Sequence, residues 1–129
     1  MKILLCEDDS NIAIIARLAL EQVGGHQVTW VTDGEQALAK GTAENFDLIL
    51  IDDMMPKMSG GDVCAAYKKS GRATGPVIFL SANPQDARVA EFSPVAIGYI
   101  AKPFDPMRLC AQIESIYQAR SSAGGKKAV

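Results

Sequence analysis

Cysteine, histidine and aromatic residues are scarce in this chain, and each shortage narrows what it can do. Its 129 residues include three cysteines, one histidine, one tryptophan, three tyrosines and four phenylalanines. Cys6, Cys64 and Cys110 are odd in number, far apart and never spaced C-x-x-C, which argues against a disulfide framework or a zinc site; they read as small buried hydrophobes. His26 follows two glycines and has no acid or cysteine at ligand spacing, so it reads as a surface or loop residue and not as a phosphodonor. Long apolar runs are missing too: the opening stretch Ile3–Cys6 meets Glu7-Asp8-Asp9 at once, too short for a secretory signal, and nothing approaches a membrane span. There is no basic excess. Thirteen Lys and Arg against fifteen Asp and Glu leave a net charge of −2, without the footprint of a nucleic-acid binder. A reducing, cytoplasmic setting with no membrane contact and no direct nucleic-acid contact is the expectation.

What is present is the composition of an ordinary soluble domain, 48% hydrophobic and 22% charged, long enough for one core. Short apolar runs alternate with helical periods five times, the rhythm of βαβ units around a parallel sheet. The predicted strands are 3–6, 27–31, 48–51, 77–80 and 97–101. Leu48–Ile51 and Val77–Leu80 are apolar at every position, as expected of central strands covered by helices on both faces. The first helix offers Ile12, Ile15, Ala16, Ala19 and Val23 to the sheet and stops at Gly24-Gly25. Asp33 with Gln36, and Ser59 with Asp62, are in capping-box register for helices ending near Gly41 and Gly71. Asn83-Pro84 opens a fourth helix that Pro94 ends, and Asp105-Pro106 opens a fifth, buried through Leu109, Cys110, Ile113, Ile116 and Tyr117. Trp30 and Phe46 are assigned to packing, and Tyr67 to packing or partial exposure. Residues 1–120 make the domain, and 121–129, without periodicity, read as a flexible tail or linker stub. The fold class is a doubly wound α/β domain with a five-stranded parallel sheet.

Ligands of such sheets bind beyond the carboxyl ends of the strands. Here strand one ends in Glu7-Asp8-Asp9, strand three in Asp52-Asp53, strand four in Ser81 and strand five in Lys102-Pro103. Clustered carboxylates repel each other and call for a cation. Magnesium, which takes one or two carboxylates and keeps several waters, is the natural ion, with manganese as a second candidate. One lysine and one hydroxyl complete a set able to hold a phosphoryl group moving onto an aspartate.

In order and spacing, Leu4-Leu5-Cys6-Glu7-Asp8-Asp9, Asp52-Asp53-Met54-Met55-Pro56-x-x-x-Gly60, Ser81-Ala82 and Gly98-Tyr99-Ile100-Ala101-Lys102-Pro103-Phe104 resemble the receiver domains of two-component response regulators, over about residues 2–117. The resemblance implies a flavodoxin-like strand order 2-1-3-4-5. It implies that a sensor histidine kinase or a phosphotransfer protein donates a phosphoryl group to Asp52. Magnesium would rest on Asp8, Asp52 and the Met54 backbone carbonyl, with Glu7 acting largely through water. Lys102 would pair with the phosphoryl group, Ser81 would bind one of its oxygens, and small Ala82 would leave room. The Lys102–Pro103 bond is expected to be cis, and Tyr99 is the aromatic expected to report the switch. A downstream target, or a second copy of the domain, would read the face formed by the fourth helix, the fifth strand and the fifth helix. Asp53, where the family is commonly apolar, points away from Asp52 by strand alternation and is a weak alternative acceptor. Asp9 is either a further acid of the site or the cap of the first helix.

Two other readings stand beside this one. A haloacid-dehalogenase-type phosphatase also phosphorylates an aspartate, but Asp52-Asp53-Met54 lacks the second aspartate of D-x-D. A pseudo-receiver would be an interaction module that no longer takes phosphate, whereas every matched position here is competent. The chain is read as catalysing only its own phosphorylation and dephosphorylation, not as a turnover enzyme.

Overall fold

A computed structural model describes residues 1–52, 55–70, 75–81 and 96–128, with side chains through residue 119. Its strands are β1 (Lys2–Cys6), β2 (Gln27–Val31), β3 (Leu48–Asp52), β4 (Val77–Ser81) and β5 (Ala96–Ala101). They form one parallel sheet in the order β2-β1-β3-β4-β5. All five predicted strands are found, with ends moved by no more than a residue.

Alternation along the strands builds two separate cores. Ile3 and Leu5, Leu48 and Leu50, and Ile78 and Leu80 face one side, where α1 (Ser10–Leu18), the π-helical turn after it and α4 (Leu109–Ala128) cover them with Ala13, Ala16, Leu20, Leu109 and Ile113. Leu4 and Cys6, Ile49 and Ile51, and Val77 and Phe79 face the other, under Ala37 of α2 (Gly34–Ala43) and Val63, Cys64 and Tyr67 of α3 (Gly60–Ser70). Strands β3 and β4 are buried along their full length.

Local chemistry explains the helix starts. Asp9 caps α1 by accepting from the Asn11 and Ile12 amides. Asp33 accepts from Gln36 N at 2.9 Å, while the Gln36 side chain reaches back one residue further than the expected box, to Thr32 N. Ser59 and Asp62 make the full reciprocal box of α3. Asp105 Oδ1 accepts from Met107 N, but residues 106–108 form a turn and the helix itself begins at Leu109.

Several expectations require correction. Ile15 and Val23 are 45% and 57% exposed, and the buried stripe of the first helix runs instead through Ala13, Ala16, Ala19 and Leu20. Apolar residues surround this helix, so spacing alone does not select the face; small alanines let its backbone approach the sheet. The turn over Ala19–Val23 is also π-helical, which rotates Val23 away from the stripe. Gly41 does not end α2 but lies within it, because the Tyr67 hydroxyl occupies the space a Cβ would need, donating to Ala37 O. Cys110 is only partly buried, its thiol against Ala19 O. α4 runs to Ala128. The helix expected after Asn83-Pro84, and the expected stop at Gly71, lie outside the described residues.

Candidate functional site

The alternation that sorts the core also assembles the site. Ile3, Leu5 and then Glu7 follow one parity, as do Leu48, Leu50 and Asp52, and Ile100 and Lys102. Three strands therefore deliver two acids and one lysine to the same side of the sheet at its carboxyl edge. Asp8 follows from the loop after β1.

The side chains meet there. Glu7, Asp8 and Asp52 have carboxylate oxygens within 4.8 Å of one another. Glu7 is fully buried, Asp52 is 5% exposed, and Asp8 is open to solvent. Lys102 Nζ lies 2.7 Å from Glu7 Oε1 and 3.1 Å from Asp52 Oδ2. Burial pulls the lysine pKa down, but the contacts with Glu7 and Asp52 outweigh it and leave the value above that of an ordinary lysine. The ammonium is therefore fixed in its charged form at neutral pH.

One ammonium does not balance three carboxylates. The cluster carries two uncompensated negative charges: each acid lies within 4.8 Å of the other two, while Lys102 touches only Glu7 and Asp52. Solvent around exposed Asp8 screens its share of the repulsion, and the Glu7–Asp52 pair is the buried part of it. Glu7 Oε1 is buried with Lys102 Nζ 2.7 Å away as its one close cation, and a carboxylate oxygen with a single such contact keeps a lone pair for a metal or its water. An all-oxygen donor set, a buried oxygen with a lone pair to offer and one exposed acid fit a hard divalent cation that retains its waters.

Of the other expected site residues, Ser81 is buried at the end of β4, and its carbonyl accepts from Lys102 N at 2.8 Å, joining the last two strands at the site. The Lys102–Pro103 peptide is cis. Tyr99 is 42% exposed, opposite Phe79 in the β4–β5 register. Asp9 serves as the cap of α1, and its carboxylate is not one of the three that cluster. Asp53, Met54 and Ala82 lie outside the described residues.

One contact escaped the sequence reading. Trp30 Nε1 donates to the backbone carbonyl of Glu7 at 2.9 Å. Residues 7 and 30 share no local motif; the signal lies in the pairing of β1 with β2, which sets Leu5 opposite Trp30.

A family model described as the response regulator receiver domain matches residues 3–114. Among relatives, transcriptional regulatory protein ResD of Bacillus subtilis is 35% identical over 121 residues, covering 93% of this chain and 49% of that protein. Alkaline phosphatase synthesis transcriptional regulatory protein PhoP of the same organism is 33% identical over 116 residues, covering 89% and 48%. The chain thus spans about half the length of these curated relatives. Among solved structures, the receiver domain of Francisella response regulator 1452 is similar with a TM-score of 0.79 at 31% identity, covering 92% of this chain and 98% of that one. Chemotaxis protein CheY4 of Vibrio cholerae gives 0.79 at 30% identity, covering 89% and 97%. Matched over nearly all of its sheet and helices, and carrying its acids and lysine at one strand edge, the chain belongs to the response regulator receiver domains of two-component systems.

Proposed function

We propose that this domain accepts one phosphoryl group on Asp52 from the phosphohistidine of a sensor kinase or phosphotransfer protein, and signals through the change this causes. The observation that carries the reading is the convergence of Glu7, Asp8, Asp52 and Lys102 at the carboxyl edge of a sheet whose central strands are apolar. A carboxylate oxygen of Asp52 bonds to phosphorus as the phosphorus–nitrogen bond of the donor breaks, and the imidazole leaves with that electron pair. Lys102 holds positive charge 3.1 Å from the accepting carboxylate, where the transferred oxygens arrive, and Ser81 supplies a hydroxyl donor from β4. Magnesium, held by Asp8, Asp52 and the Met54 carbonyl with Glu7 reached through water, would neutralise charge on the phosphoryl oxygens. Manganese suits the same oxygens.

The domain catalyses only its own modification and its reversal. Tyr99, exposed on β5 beside α4, is placed to change what that face displays when Ser81 is drawn toward phosphate, and a downstream protein or a second copy of the domain reads it there. ResD and PhoP are named transcriptional regulatory proteins, which favours an output in gene control. A cytoplasmic location suits that role; no helix among the described residues is long and apolar enough to cross a membrane.

Incubation with acetyl phosphate and magnesium, followed by intact mass and peptide mapping, tests the proposal. One phosphoryl group on Asp52, lost in Asp52→Asn, is the expected result, with any remnant in the variant on Asp53. Label chiefly on Glu7, Asp8 or a serine overturns the acceptor assignment. A folded wild type that takes no label is instead an interaction module.

A further inference from the structure

The metal-holding acids Glu7 and Asp8 sit where β1 gives way to a loop, and Asp8 is exposed, so its aim depends on the main chain around it. That main chain is fastened to β2 at two points. Glu7 N donates to Val31 O at 3.1 Å, a sheet bond that any residue makes. Glu7 O instead accepts from the indole Nε1 of Trp30 at 2.9 Å, a bond that needs this particular side chain. The carbonyl of Glu7 belongs to the peptide plane leading into Asp8, so fixing its direction fixes where the Asp8 side chain starts. The indole ring is held in turn, partly buried and packed against the core under α1 and α4. Glu7 Oε2 accepts from Asp9 N at 3.2 Å, which ties the same turn from the inside.

We propose that Trp30 is a positioning residue for the metal site, holding the Glu7–Asp8 peptide in the orientation that presents both acids to a divalent cation. The inference rests on the metal reading given under Proposed function and adds to it a residue from the neighbouring strand. Outer partners that orient ligands are a general requirement of metal sites, although here the partner acts through the backbone and not through the ligand side chain. Because Trp30 is the single tryptophan of the chain, its indole N–H is also an unambiguous reporter of this bond.

Magnesium titrations of the wild type, Asp8→Asn and Trp30→Phe test the proposal, with affinity read by calorimetry and the indole N–H read by NMR in the two proteins that keep it. Three results are expected together. The single indole resonance of the wild type moves and saturates with the calorimetric affinity. The same resonance stays still in Asp8→Asn. Trp30→Phe binds magnesium roughly three- to tenfold more weakly, at or below the usual cost of losing an outer partner. A merely structural tryptophan would lower the melting temperature of Trp30→Phe equally with and without magnesium and leave the affinity unchanged, which overturns the proposal. If Trp30→Phe does not fold, the wild-type resonance decides alone, since an indole signal unmoved while calorimetry shows binding overturns it equally. A wild type that binds no magnesium is a different failure, of the metal reading itself, and takes the proposal about Trp30 down with it.

Discussion

The interior of the sheet and its carboxyl edge are made by the same strands, yet they are built on opposite terms. Along β1, β3 and β4 the interior is apolar and closed, with Leu5, Leu50 and Ile78 fully buried on one face and Cys6, Ile51 and Phe79 on the other. Each strand then ends, within two or three residues, in a buried polar group: Glu7, Asp52 or Ser81. The interior stabilises by removing apolar surface from water, while the edge gathers three carboxylates around one lysine and leaves two negative charges uncompensated. The difference teaches that a rigid interior can hold a costly arrangement at its rim, in wait for a cation and a phosphoryl group.

Substitutions on either side of that divide should behave differently. Leu50→Ala opens a cavity at the centre of the sheet and should cost about 3–4 kcal/mol of unfolding free energy in urea denaturation, with or without magnesium. Lys102→Met leaves the buried Glu7 and Asp52 without their cation and should cost about 2–3 kcal/mol, less than a fully enclosed pair because Lys102 is partly open. Magnesium should restore part of that loss, which it cannot do for Leu50→Ala. Since the folded state raises the pKa of Lys102, its contribution is whole at neutral pH and is lost only as pH climbs past about 10.4 and through the folded value. A pH titration of wild-type stability that showed this loss already near pH 8 would break the account of the pair. Tyr67→Phe removes a buried hydroxyl bonded to Ala37 O, on the far side of the sheet, and should cost about 1 kcal/mol while leaving the magnesium response untouched.

The interior was legible in sequence because its code is short-range. Leu48–Ile51 and Val77–Leu80 announce central strands without alternation, and the parity of Ile3, Leu5 and Glu7 carries the first acid to the correct face. Ser59 with Asp62 announces the start of α3 through contacts three residues apart. The site's membership was legible for a related reason, since strands of one parallel sheet end at one edge. Missing were features set by long-range packing. The face of α1 was misjudged because its surroundings, not its spacing, choose between Ile15 and Leu20. Gly41 reads as a helix end in sequence, and only the Tyr67 ring packed against it explains a glycine inside α2. Trp30 looked like core, and its bond to the Glu7 carbonyl follows only once β2 lies beside β1.

The central claim, that the carboxyl edge costs stability which a cation returns, is tested most directly by unfolding the wild type and Asp52→Asn side by side in urea, with and without magnesium. Removing one of three clustered charges should leave Asp52→Asn at least as stable as the wild type without the metal, because relief from two neighbouring acids offsets the lost ion pair to Lys102. Magnesium should then stabilise the wild type and do little for the variant. An Asp52→Asn variant clearly less stable than the wild type without metal, and gaining as much from magnesium, would contradict the account.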